Sequence, residues 1–275
     1  MGTPFFKMTG SGNDFVFVDG RVTSLAAWPP ERIAATCHRR SGVGADGLVL
    51  LEPEGGNVVR MHYFNADGGR AALCGNASLC STRLAVRLGL AQPAGMTLRT
   101  DAGDLQTRCV GPGEMAELRF PAFPVPPAVE LDWAPGESGR AWLGDIGVPH
   151  LIVLVDDLRA VDVDHRGREL RFSPQFAPGG TNVNFVGVTR GPGGPEWGIR
   201  TYERGIEGET MACGTGTICA AFALASEGLA ELPVRLTTAS GSELAVAGRV
   251  DGTVSEEAWL CGEGRLVFTG EMEEA

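Results

Sequence analysis

Two stretches of this chain repeat each other at a fixed distance of 139 residues. Tyr63–Ala91, YFNADGGRAALCGNASLCSTRLAVRLGLA, is matched without a gap by Tyr202–Ala230, YERGIEGETMACGTGTICAAFALASEGLA. Tyr63 falls on Tyr202, Cys74 on Cys213, Gly75 on Gly214, Cys80 on Cys219 and Gly89 on Gly228. Two copies at so long a spacing describe a duplicated domain rather than a solenoid, and 275 residues leave room for two cores. The predicted fold class is α+β. Two pseudo-symmetric domains are expected, each a strand-rich sheet or barrel wrapped around a central helix, with the active site in the cleft between them.

Strand-like runs separated by short Gly, Asp or Asn turns fill both halves: Phe15–Asp19, Leu48–Glu52, Val58–Phe64, Met96–Thr100, Leu151–Val155, Asn184–Val188 and Val234–Thr238. Helical patterns are few. Pro30–His38 is one, started by Pro29-Pro30. The other two, Asn76–Leu88 and Thr215–Glu227, each end at a glycine suited to a left-handed C-cap, Gly89 or Gly228. The first reads as amphipathic, with Leu79, Leu84, Ala85 and Leu88 beside Ser81, Arg83 and Arg87. The second is apolar all round from Ile218 to Ala225, the mark of a buried helix. MTLRTDAGDLQ after the first is echoed by VRLTTASGSEL after the second. The Pro-rich Phe120–Pro127 reads as a linker, dividing the chain into residues 1–118 and 119–263, and Arg190–Gly198 reads as a surface turn.

A net charge of −11 argues against nucleic acid or an anionic membrane as partner. No apolar run approaches a membrane span, and the N-terminus lacks the order of a signal peptide, so a cytoplasmic location is expected. There the seven cysteines read as thiols rather than disulfides. Lys7 is the single lysine against 22 arginines. Pyridoxal phosphate chemistry would have to use it, and its place beside a Gly-rich turn suits a surface charge better than a cofactor anchor. The expected cofactor is none, and a small molecule is the expected partner.

In ALCGNAS and MACGTGT a cysteine precedes a Gly-containing turn that opens a helix. Unpaired amides and the helix dipole converge there, favouring a thiolate and holding a carboxylate. A free cysteine is by default a small buried hydrophobe, and Cys37, Cys80, Cys109, Cys219 and Cys261 are read that way. For Cys74 and Cys213 the duplication points instead to chemistry. Their Cys-x5-Cys spacing from Cys80 and Cys219 is too wide for usual zinc ligation, so no metal is expected. Two thiols and a carboxylate clamp suit inversion of a carbon α to a carboxylate, one group removing a proton from one face and the other delivering a proton to the opposite face.

These motifs, together with KMTGSGNDF at Lys7–Phe15, SGVGADGL at Ser41–Leu48, VPH at Val148–His150, GGTNVNFV at Gly179–Val186 and YERGIEGETMACGTG at Tyr202–Gly216, resemble those of the diaminopimelate epimerase family nearly end to end. The resemblance implies a cofactor-independent epimerase that interconverts LL- and meso-diaminopimelate on the route to lysine and peptidoglycan. It implies Cys74 and Cys213 as the exchanging acid and base, and His150 and Glu203 as auxiliaries. It implies binding of the reacting carboxylate by Gly75, Asn76, Gly214 and Thr215, and of the rest of the substrate by Asn13, Asn65, Asn182, Glu203 and Arg204. A strand near Leu266–Thr269 would return to the first domain, taking residues 264–275 with it, and a homodimer is the candidate assembly. Two departures stand out. The family's CGNGAR reads CGNASL here, and Val148 occupies a place where many members carry an asparagine for the distal end of the substrate. A racemase of another amino acid with the same two thiols, or a protein that only binds amino acids, are the alternatives.

Overall fold

The computed structural model describes residues 2–132, 139–191 and 194–273. The chain divides into two compact units, Met1–Arg119 with Cys261–Ala275, and Phe120–Leu260. In chain order the first unit contains β1 (Thr3–Gly10), β2 (Asn13–Asp19), α1 (Pro30–Cys37), β3 (Gly47–Gly55), β4 (Val58–Asn65), β5 (Arg70–Ala71), α2 (Gly75–Arg87), β6 (Met96–Thr100), β7 (Gly103–Val110) and β8 (Met115–Arg119). Next come β9 (Phe123–Pro124), β10 (Ala128–Val129), β11 (Ala141–Asp145), β12 (Pro149–Leu154), α3 (Val163–Arg171), β13 (Asn182–Gly191), β14 (Gly194–Glu203), β15 (Gly208–Thr210), α4 (Gly214–Ser226), β16 (Val234–Thr237), β17 (Glu243–Asp251) and β18 (Val254–Glu263). The last strand, β19 (Arg265–Met272), lies antiparallel to β1 and belongs to the first unit. Among the described residues no helix is long and apolar enough to cross a membrane.

The duplication is visible in the pairings. β2 runs parallel to β3 as β12 does to β13, and β4 runs parallel to β6 as β14 does to β16. The central helices α2 and α4 begin and end at positions 139 apart. Both close on the same C-cap. Gly89 (φ 70°) and Gly228 (φ 67°) turn the chain left-handed, and the following residues return hydrogen bonds, Leu90 N–H to Ala85 O at 2.8 Å and Leu229 N–H to Leu224 O at 2.9 Å.

Each central helix is enclosed by the strands of its own unit. α2 packs against β1 to β4, β6 to β8 and β19, and α4 against β11 to β13, β16 and β17. Every residue of α4 from Gly216 to Leu224 is buried, as its unbroken apolar run predicts. Phe222 meets Phe123 edge-on at 5.3 Å. The outer helices α1 and α3 cover the opposite sheet faces, α1 through Ile33 and Cys37, α3 through Val163 and Leu170.

Four expectations change. α2 shows its polar side only at half-buried Arg83 and exposed Arg87, whereas Ser81, expected beside them, is fully buried, as are Ser78 and Thr82. The three hydroxyls donate to the carbonyls one turn back, Cys74 O, Ala77 O and Ser78 O, at 2.7–2.9 Å, so these side chains need no solvent. The Pro-rich Phe120–Pro127 is not a bare linker, because β9 pairs with Val254 and Ser255 of β18. Arg190–Gly198 is a β-hairpin rather than a surface turn, with Arg190 opposite Pro195 and Gly191 opposite Gly194; residues 192–193 lie outside the described residues. Helix α3 escaped the sequence pattern because Gly167 interrupts it. That glycine is required by packing: a Cβ there would lie 2.4 Å from the Tyr202 side chain.

The repeat also slips by one residue ahead of the cysteines. Tyr63 packs in the core against α2, whereas Tyr202 packs with Val163 and Leu170 beneath α3. Phe64, which faces Ile33 and Cys37 of α1, is therefore the counterpart of Tyr202. Successive strand residues point to opposite faces, so a one-residue slip exchanges the faces.

Candidate active site

Cys74 and Cys213 are the N-cap residues of α2 and α4, both half-buried and both extended in backbone conformation. Neither thiol caps its own helix. The capping geometry comes instead from the cysteine carbonyls. Cys74 O accepts from the amide and hydroxyl of Ser78, both at 2.9 Å. Cys213 O accepts from the amide of Thr217 at 3.0 Å and from its hydroxyl at 2.7 Å. Each sulfur is thus held where a helix begins, beside first-turn amides that have no carbonyl within the helix to bond. Next to Cys74 the space at Gly75 is open, since a Cβ there would meet nothing within 4 Å among the described residues. The family's substituted first turn, Ala77-Ser78-Leu79, is wholly buried.

Around Cys74, Asn76 donates its amide to Asn13 Oδ1 at 2.7 Å, and Asn13 donates to Asp46 at 2.9 Å. Asp46 and Asp14 are bridged by Arg39. Lys7 completes the network with a 2.6 Å ion pair to Asp14 and a hydrogen bond to the Gly44 carbonyl. Lys7 is buried, not a surface charge. Burial opposes ionisation of Asp14, but Arg39 and Lys7 outweigh it and hold this carboxyl below the usual range. Asn76 Oδ1 is buried without a hydrogen-bond partner among the described residues. The Tyr63 hydroxyl hydrogen-bonds to Cys74, and burial followed by the charge of this neighbour keeps the phenol protonated. Asn65, last residue of β4, has an exposed side chain.

In the second unit the Cys213 sulfur lies 3.6 Å from the Thr215 hydroxyl, which lies 3.0 Å from Nε2 of His150. The other ring nitrogen of His150 meets Asn184 Nδ2 at 3.2 Å. His150 is fully buried, and burial, helped by the charge of Arg204, lowers its pKa to about 3. His150 and Asn182 are neighbours across the parallel strands β12 and β13. Asn182 accepts from the Arg204 amide at 2.9 Å and donates to Pro149 O at 3.0 Å. Both functions of this side chain therefore hold the segments carrying Arg204 and His150. Glu203 ends β14. Burial raises its carboxyl pKa, with the Thr210 hydroxyl alongside opposing the shift.

Within the first unit the predicted Asn13, Cys74, Gly75 and Asn76 come together; within the second, His150, Asn182, Glu203, Arg204, Cys213, Gly214 and Thr215 lie on adjoining strand ends and the α4 N-terminus. The sequence reading missed Asn184, Thr201, Tyr63 and Asp46. Asn184 was within reach, since Asn182 and Asn184 share one strand face by their spacing of two. None of the seven cysteines is joined in a disulfide among the described residues. Burial raises the pKa of Cys37 to about 11 and pushes Cys80 and Cys219 up as well, which suits packing rather than chemistry.

Solved structures share this fold. A phenazine biosynthesis PhzF-family protein from Enterococcus faecalis superposes with a TM-score of 0.72 at 15% identity, covering 100% of both chains. A hydroxyproline epimerase from Agrobacterium vitis gives a TM-score of 0.66 at 16% identity, covering 98% of this chain and 92% of that one. The chain is thus one of the duplicated-domain proteins with the PhzF and proline racemase fold. The sequence model for diaminopimelate epimerase matches residues 5–118 and 143–267. Diaminopimelate epimerases from Gemmatimonas aurantiaca and Aquifex aeolicus are 43% and 36% identical to it, each over 98% of both chains. The chain belongs to the diaminopimelate epimerase family and is an epimerase.

Proposed function

We propose that this enzyme interconverts LL- and meso-diaminopimelate without a cofactor, in the cytoplasmic supply of lysine and peptidoglycan precursors. Cys74 and Cys213 serve as the acid and base, exchanging roles with the direction of reaction. The observation that carries this reading is the presence, in both units, of a half-buried cysteine at the N-cap of a buried helix, its side chain making no cap hydrogen bond to the helix backbone. One thiolate removes the α-proton, and the other thiol delivers a proton to the opposite face. Charge that develops on the carboxylate is stabilised by first-turn amides at Gly75, Asn76, Gly214 and Thr215. Arg204 pairs with a substrate carboxylate. Asn13, Asn65, Asn182 and Glu203 complete binding, with His150 and Glu203 as auxiliaries. Lys7 is engaged by Asp14 and Gly44, so the chain's single lysine is not available to anchor a carbonyl cofactor.

Incubation of purified enzyme in heavy water with a panel of amino acids tests the assignment. Solvent deuterium should enter the α-carbon of diaminopimelate and of no other member of the panel. Exchange into proline or histidine instead would assign the changed residue Val148 to a changed substrate. Binding without any exchange would leave a capture protein.

A further inference from the structure

We infer that Asn184 fixes the tautomer of His150 and through it aims the Thr215 hydroxyl at Cys213. Asn184 and His150 are then positioning residues for that thiol. The hydrogen-bond geometry dictates the direction of every link. A backbone carbonyl only accepts, so the Asn184 atom 3.1 Å from Leu151 O is the amide nitrogen. Asn184 Oδ1 correspondingly takes the Thr201 hydroxyl at 3.0 Å. One N–H of Asn184 serves Leu151, and the other points at Nδ1 of His150, which must therefore present its lone pair.

The imidazole is completely buried among these groups and is neutral, so it carries one proton. With Nδ1 bare, that proton sits on Nε2 and is donated to the Thr215 oxygen. The Thr215 hydrogen is left to point at the Cys213 sulfur. The opposite tautomer would set N–H against N–H at Asn184. Asn184, tied to the Leu151 carbonyl, thus orients a donor toward the thiol through two further side chains, His150 and Thr215.

Two consequences follow, the second of which rests on the proposed role of Cys213. First, neutral His150 in this tautomer is a donor and cannot accept the Cys213 proton through Thr215; the relay favours the thiolate. Second, the two halves of the reaction are served by different chemistry. At the position matching Thr215 the first unit has Asn76, which has no hydroxyl and spends its amide on Asn13. Gly216 belongs to the same device, because a Cβ at that position would lie 2.1 Å from Asn184 Oδ1.

The direct test is long-range proton–nitrogen correlation NMR of the 15N-labelled enzyme. Nε2 of His150 should be protonated and Nδ1 bare across the neutral pH range; a ring protonated on Nδ1, or on both nitrogens, overturns the inference. A second test follows iodoacetamide alkylation of each cysteine against pH by peptide mass mapping. Thr215→Val should move the Cys213 midpoint upward by about one pH unit, a tenfold loss of thiolate, leaving Cys74 unmoved and the His150 tautomer intact. Thr215→Ser should restore the midpoint. Asn184→Asp, which can only accept, should protonate Nδ1 and raise the same midpoint. An unchanged Cys213 midpoint in Thr215→Val contradicts the relay even if Asn184→Asp fails to fold. None of these readouts uses a substrate, so their failure is distinguishable from failure of the diaminopimelate assignment.

Discussion

Gly216 and Asn184 are in contact so close that a side chain on one excludes the other: a Cβ on Gly216 would lie 2.1 Å from Asn184 Oδ1 and 3.3 Å from Nδ1 of His150. Backbone conformation does not require this glycine, which lies within α4. What requires it is the buried amide beneath the first turn. Gly216→Ala is expected to displace Asn184 and His150 and to lower kcat/KM at least tenfold. The helix content by circular dichroism should remain, because alanine favours helix. Wild-type kinetics in this variant would show that the Asn184 position is immaterial.

Phe222 joins α4 to β9 through Phe123. Both residues are buried, Phe222 completely. Truncation removes an aromatic side chain from a closed core, so Phe222→Ala should cost about 3–5 kcal/mol. Urea titration of the two proteins measures the difference. A cost below about 1 kcal/mol would mean that this part of the core collapses freely around the cavity.

His150 supplies a pH dependence of stability whose sign is fixed. Its folded pKa is about 3 against 6.5 for an unperturbed ring. Above pH 6.5 both folded and unfolded chains hold it neutral, and it contributes no slope. As pH falls from there toward about 3, the unfolded chain gains a proton that the folded chain refuses, and stability drops. One such proton corresponds to about 1.4 kcal/mol per pH unit. Unfolding free energies measured through this window should fall more steeply for the wild type than for His150→Gln. Equal slopes would mean that the buried ring is protonated in the folded protein.

Much of this architecture could be read from the residues because local and global signals agree where the chain is repeated. The α2 and α4 helices carry their own stop signals in Gly89 and Gly228, and the cysteine-headed entries are written twice. What escaped was set by packing at a distance. Ser81 reads as solvent-facing because it is polar and stands near Arg83 and Arg87; its burial is possible because its hydroxyl is satisfied by Ala77 O one turn back, which composition alone does not record. Helix α3 was hidden by Gly167, whose reason is the Tyr202 ring across the interface. Lys7 looked like a surface charge because its partners Asp14 and Gly44 are brought to it by the pairing of β1 with β2 and the loop before β3. The gapless repeat itself conceals a one-residue slip, which shows in the opposite sheet faces that Tyr63 and Tyr202 present to their cores.

The central claim is that two thiols share one proton inversion, and deuterium labelling of single-cysteine variants tests it most directly. Wild-type enzyme turning over LL-diaminopimelate in heavy water should place solvent deuterium at the inverted α-carbon of the meso product. Cys74→Ala and Cys213→Ala should each lower that turnover by a factor on the order of 10² to 10⁴, the range lost with a general acid or base. Either variant epimerising at the wild-type rate would contradict the account.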